Sequence, residues 1–133
     1  MIALGGNALS PREEAGTIYQ QFSHTRESLD AIMHFVNLEY NICITHGNGP
    51  QVGHLMSLDP SLPMEEWVSA TQGMIGYSLS INLESILRRR NRPEANSVIL
   101  TRVEVDPDDS GFKFPTKPVG PILNSEQVMS EDW

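Results

Sequence analysis

A short apolar run, Ile42-Cys43-Ile44, stops abruptly in Thr45-His46-Gly47-Asn48-Gly49-Pro50-Gln51-Val52-Gly53. A strand that ends in glycine, asparagine and proline leaves bare backbone N–H groups at its carboxyl end, where open α/β sheets bind anionic ligands. The same device stands at the start of the sequence, where Ile2-Ala3-Leu4 runs into Gly5-Gly6-Asn7-Ala8. Two glycine-rich strand ends, about forty residues apart, point to one phosphate-handling site.

Between and after these stops the hydrophobic period alternates. Ile2 to Leu4 reads as a very short first strand, and Ser10-Pro11-Arg12-Glu13 has the form of a capping box with proline at the first helical position. Leu29, Ile32, Met33 and Val36 recur at helical spacing, predicting an amphipathic helix that ends before Tyr40-Asn41. A second strand follows over Asn41 to Thr45. Asp59-Pro60-Ser61-Leu62-Pro63 is a turn-rich connector. Val68, Ile75, Leu79, Leu83 and Ile86 then trace one stripe of a long helix from about Met64 to Arg90. Gly73 and Gly76 each weaken that helix by ~1 kcal/mol relative to alanine, so the space they leave is expected to be needed. A third strand is predicted from about Ser97 to Val105, ended by Asp106-Pro107-Asp108-Asp109-Ser110-Gly111.

Strands alternating with helices imply an α/β fold, a three-layer α/β/α sandwich with a mainly parallel sheet joined by right-handed crossovers. Three strands are few for such a sheet. The expectation is an incomplete domain whose remaining strands lie outside this sequence.

Composition narrows the function. The 133 residues suit one domain with a real core, and their formal charge of −8 argues against nucleic acid as a partner. Arg88, Arg89, Arg90 and Arg92 form the one dense basic run, placed to complement the dipole at a helix C-terminus. The single cysteine, Cys43, excludes an internal disulfide, fits a reducing compartment and is expected to be a small buried hydrophobe between Ile42 and Ile44. No stretch approaches the ~20 apolar residues of a bilayer span, and no basic-then-apolar leader opens the sequence, so the expected location is the cytoplasm without membrane association.

Four segments together resemble the carbamate kinase family of the amino-acid kinase superfamily. They are Ile2 to Leu9, Thr45 to Gly53, Ala70-Thr71-Gln72-Gly73-Met74-Ile75-Gly76-Tyr77, and Thr101 to Asp106 continuing through Phe112 to Pro121. The resemblance implies reversible phosphoryl transfer between ATP and carbamate, run mostly towards ATP from carbamoyl phosphate and ADP in arginine catabolism, with Mg²⁺ accompanying the nucleotide. It implies a homodimer. It also implies that residues 1–133 form the N-terminal, carbamate- and carbamoyl-phosphate-binding part of the domain, with the nucleotide-binding part outside the chain.

On that resemblance the backbone amides of Gly5, Gly6, Asn7, Gly47, Asn48 and Gly49 hold the carbamoyl and phosphoryl groups, and Lys117 sits over the phosphoryl oxygens as the catalytic cation. The chemistry supports these roles in its own right. Phosphoryl transfer asks for positioning and charge neutralisation, which N–H cradles and a lysine supply. Glycine lets the backbone approach a phosphate, and Asn7 and Asn48 tolerate a left-handed conformation and offer amide donors. Thr116 and Pro118 stiffen the loop around Lys117, and Lys113 is a second substrate-side cation. His46 is expected to structure its loop by hydrogen bonding, since carbamate already carries a nucleophilic oxygen. Gln72, Gly73 and Gly76 are expected to serve close packing beside the site. Asp106, Asp108 and Asp109 are expected to cap turns, and no metal ligand is assigned. Two other classes fit the same residues: a catalytically inactive half-domain that binds an anion or docks a partner, and another amino-acid kinase acting on acetylglutamate or a nucleoside monophosphate.

Overall fold

The computed structural model describes residues 1–5, 8, 18–116 and 119. The elements run β1 (Ile2–Leu4), α1 (Ile18–Asn37), β2 (Ile44–His46), α2 (Gly49–Leu58) and α3 (Met64–Arg89), followed by a single 3₁₀ turn over Ser110–Phe112. The expected capping box at Ser10 to Glu13 lies outside the described residues.

The two strands pair in parallel with Ile2 opposite Ile44, Ala3 opposite Thr45 and Leu4 opposite His46. Strand side chains alternate between faces, so Ile2, Leu4 and Ile44 point one way and Ala3 and Thr45 the other. The first set packs against the buried core. That core is made by one stripe of α1 (Leu29, Ile32, Met33, Val36) and one of α3 (Ile75, Leu79, Ile86, Leu87), with Leu29 and Met33 fully excluded from solvent. Each such side chain contributes roughly 1.5–3 kcal/mol by burial, so Leu29→Ala at the centre would cost about 2–5 kcal/mol. Among the described residues the helices thus cover one face of the sheet.

The opposite face corrects one expectation. Cys43 is exposed. It alternates with Ile42 and Ile44, which pack on the core, and therefore faces the same way as Thr45, where no described element covers it. Flanking isoleucines signal that a strand is half-buried without saying which parity is inside.

Helix α3 has the expected length. Glu65 and Glu66 stand in its first turn and Arg88 and Arg89 in its last, both favourable to the helix dipole. Three of the four arginines of the basic run pair within the chain. Arg88 pairs with Glu84 one turn back, Arg90 reaches Asp30 on α1 at 2.9 Å, and Arg92 binds Glu94 while donating to the Val36 carbonyl at 3.1 Å. The Glu94 partner holds the Arg92 guanidinium above its ordinary range, and the same bond holds the Glu94 carboxyl below its own.

The third predicted strand is absent as a strand. Residues 97–105 carry no ladder and run back along α3, anchored once per helical turn. Asn96 and Ser80 exchange hydrogen bonds, Val98 lies against Gly76, and Gln72 pairs with Thr101. Positions 72, 76 and 80 fall on one face of the helix, so this stripe is a track for the segment. A strand is defined by a paired neighbour, and no described strand lies beside this one. Its apolar side chains stay exposed: Val98 by 47%, Ile99 by 81%, Leu100 by 66%, Val103 by 82% and Val105 by 60%. The space at Gly76 is used, because a Cβ there would stand 2.5 Å from Val98 Cγ1, whereas one at Gly73 would meet nothing within 4 Å.

Candidate functional site

Parallel pairing in this register brings the two strand stops together. The Gly47 amide donates to the Leu4 carbonyl at 3.3 Å, so Gly5 and Gly47 leave adjacent strands side by side. Beyond β1, the Ala8 amide donates to the Gly5 carbonyl at 3.0 Å. Beyond β2, the chain enters α2 after only two residues.

Helix α2 was hidden within the glycine run. Gly49 is its first residue and Pro50 occupies the favoured early position; Val52, Leu55 and Met56 supply the helical period that could have revealed it. The Val52 amide donates to the Asn48 carbonyl at 2.9 Å and closes the first turn. The amides of Gly49 and Gln51 precede that bond and have no acceptor within the helix, and Pro50 has no N–H. The positive end of the α2 dipole therefore stands at the strand termini, where a phosphoryl group gains from it.

Gly5 and Gly49 have open space before them. Among the described residues a Cβ at either would meet no atom within 4 Å, and neither has the positive φ that would itself demand glycine. Neither packing against the described residues nor backbone strain demands glycine at these two positions.

The side chains around the loop hold it in shape. His46 Nδ1 donates to the Gly47 carbonyl at 3.1 Å, the structuring role expected of it. Asn48 Nδ2 donates at 3.0 Å to Thr71 Oγ1 on α3, and that hydroxyl, fully buried, donates to the Trp67 carbonyl at 2.8 Å. Asn48 has φ −142°, so the anticipated left-handed conformation is not used.

The remaining candidates are placed unevenly. Gly6, Asn7 and Lys117 lie outside the described residues. Lys113 is exposed behind the 3₁₀ turn, its amide bonded to the Ser110 carbonyl at 3.0 Å. That turn also spends the aspartates as caps: Asp106 accepts the Asp108 amide at 2.9 Å and Asp109 the Gly111 amide at 2.6 Å. Among the described residues no group of three or more histidine, cysteine or acidic side chains could hold a metal ion, and no helix is long and apolar enough to cross a membrane. Sequence reasoning missed Gln51, which is buried with both side-chain polar atoms unbonded among the described residues.

No family model matches the sequence. Curated relatives do. Carbamate kinase 2 of Staphylococcus aureus (strain Mu50) is 38% identical over 136 residues, covering 96% of this chain and 43% of the relative. Carbamate kinase of Pyrococcus furiosus is 38% identical over 135 residues, covering 95% of this chain and 43% of the relative. Among solved structures, Giardia carbamate kinase superposes with a TM-score of 0.87 at 33% identity, covering 94% of this chain and 44% of that one. The Giardia lamblia carbamate kinase bound to AMP-PNP gives 0.80 at 33% identity, covering 97% and 43%. The chain spans under half the length of the curated relatives it matches. Sequence and structure agree: nearly the whole of this chain is similar to under half of a carbamate kinase and shares the fold of that part.

Proposed function

We propose that this chain carries the carbamoyl-phosphate side of a carbamate kinase. In the ATP-forming direction the bond between phosphorus and the carbamate oxygen breaks, its electron pair leaves with carbamate, and a β-phosphate oxygen of ADP forms the new bond to phosphorus. The observation that carries this reading is the juxtaposition of two glycine-ended parallel strands with the N-terminus of α2, with open space among the described residues at Gly5 and Gly49. Such an array binds an anion and disperses charge without moving during the reaction, which is what phosphoryl transfer requires.

In this reading the amides of Gly5, Gly6, Asn7, Gly47, Asn48 and Gly49 line the carbamoyl-phosphate site, Lys117 neutralises the phosphoryl oxygens, and Lys113 adds positive charge at the entrance. The nucleotide and its Mg²⁺ are held mainly outside this chain, as befits a stretch that covers under half of its relatives. The working form is a cytoplasmic homodimer serving arginine catabolism. Uncovered apolar residues from Val98 to Val105 favour association over a free monomer.

The test is coupled ATP formation from carbamoyl phosphate, ADP and Mg²⁺, with direct binding of carbamoyl phosphate measured alongside. Turnover abolished by Lys117→Ala supports the kinase. Binding without turnover favours the half-domain that only binds, a reading supported by the short sheet and exposed apolar segment. No binding refutes both.

A further inference from the structure

Asn48 stands at the N-cap of α2 and does not cap it. Asparagine is among the residues that most favour this position, because its side-chain oxygen can accept the N–H of the second or third helical residue. The second is Pro50, which has no N–H, so the Gln51 amide is the one donor open to such a cap. No side-chain bond is made to it, and the Asn48 backbone, at φ −142° and ψ 8°, lies away from the extended conformation that capping residues adopt.

The side chain is held on α3 instead. Asn48 Nδ2 donates to Thr71 Oγ1 at 3.0 Å. Thr71 is fully buried, and its hydroxyl stands 2.8 Å from the Trp67 carbonyl and 3.0 Å from the Val68 carbonyl. A hydroxyl has one proton, and these carbonyls of its own helix claim it. Towards Asn48 the hydroxyl can therefore only accept, which turns the NH₂ of the Asn48 amide to α3.

The consequence falls on α2. Among the described residues the Gly49 and Gln51 amides have no acceptor, and a Cβ on Gly49 would meet nothing within 4 Å. A capping oxygen would sit over this first turn, where the oxygen of an anion would draw on the same N–H groups and the same dipole. Cap and anion exclude one another.

We propose that Thr71 is a positioning residue for the phosphoryl group: by binding the Asn48 side chain from α3, it keeps the helix's own cap off the first turn of α2. This inference rests on the carbamoyl-phosphate reading above and assigns a task to a residue of the Ala70 to Tyr77 segment that close packing does not account for.

The experiment compares equilibrium binding of carbamoyl phosphate by the wild-type chain, Thr71→Ser, Thr71→Val and the double variant Thr71→Val/Asn48→Ala. Thr71→Val is expected to bind about fivefold more weakly, the worth of one side-chain cap that the ligand must displace. Thr71→Ser keeps the hydroxyl and is expected to bind as wild type does. Asn48→Ala keeps the backbone amide and removes the freed cap, so the double variant is expected to recover most of the lost affinity. Thr71→Val binding as tightly as wild type overturns the inference and leaves the carbamoyl-phosphate reading intact. A double variant no tighter than Thr71→Val overturns it likewise, because the loss then comes from the shape of the loop. Absence of wild-type binding overturns the functional reading together with the inference. Should Thr71→Val fail to fold, Asn48→Ser and Asn48→Ala carry the test with α3 untouched. Serine is too short to reach Thr71 and caps well, so it is expected to bind several-fold more weakly than alanine, and equal binding by the two overturns the inference.

Discussion

Gly73 and Gly76 lie three residues apart in the same helix, yet alanine should act oppositely at the two. At Gly73 a new Cβ meets nothing within 4 Å, so Gly73→Ala should stabilise the chain by about 0.5–1 kcal/mol, the backbone entropy that glycine forfeits in a helix. At Gly76 the same gain is opposed by overlap, because the Cβ would lie 2.5 Å from Val98 Cγ1. Valine is stiff about χ1 and cannot swing that methyl aside freely. The segment must move outwards by about an ångström, at the 1–3 kcal/mol typical of overpacking, and the net effect should be a loss near 1 kcal/mol. Val98 Cβ itself would be 3.6 Å away, an ordinary contact. In a Val98→Ala background Gly76→Ala should therefore regain its propensity benefit and become stabilising, a coupling of about 2 kcal/mol across the double-mutant cycle. Urea unfolding of the four chains of the cycle and of Gly73→Ala measures every term. Gly76→Ala as stabilising as Gly73→Ala, or a coupling within error of zero, would refute the close packing of this segment on α3.

The other expectations are shorter. Gln72→Leu should release the segment at Thr101, seen as faster hydrogen exchange of the Thr101 amide and a loss of about 1–2 kcal/mol for two partly solvated bonds; unchanged exchange would dismiss the anchoring role. Thr71→Val preserves shape but removes the acceptor of Asn48 and should cost about 1–3 kcal/mol while weakening phosphate binding at the loop; intact binding would mean that Asn48 holds its place unaided. Glu94 has its carboxyl held low by Arg92, so the stabilisation from this pair is present above the ordinary glutamate range and is lost as pH falls through the lowered value. The thermal midpoint of Glu94→Gln should accordingly lie below wild type at pH 7 and converge with it in strong acid; a gap that persists there would contradict the assignment.

The two long helices were legible because their hydrophobic period extends over several turns, and the strand stops because glycine and asparagine punctuate them. Three features were not, each for a physical reason. Helix α2 begins inside a glycine run whose composition imitates a loop, with Pro50 as its one plain start signal. The 97–105 segment has strand composition, but ladder formation depends on a neighbour that local sequence cannot name. Cys43 sits in an alternating strand whose parity is fixed only once α1 and α3 choose a face. At the site itself, the meeting of Gly5 with Gly47 followed from two parallel strands, while the unpaired amide of Gln51 depends on tertiary burial and leaves no pattern in the residues.

The exposure of Cys43 makes this sheet its own reporter. It is the sole thiol of the chain and stands on the face that the described helices leave bare. Its rate of alkylation therefore measures directly how much of that face another polypeptide occludes. Titrating a candidate partner, or concentrating the chain alone, and timing the thiol reaction would convert the bare side of a two-stranded sheet into a binding isotherm without any added label.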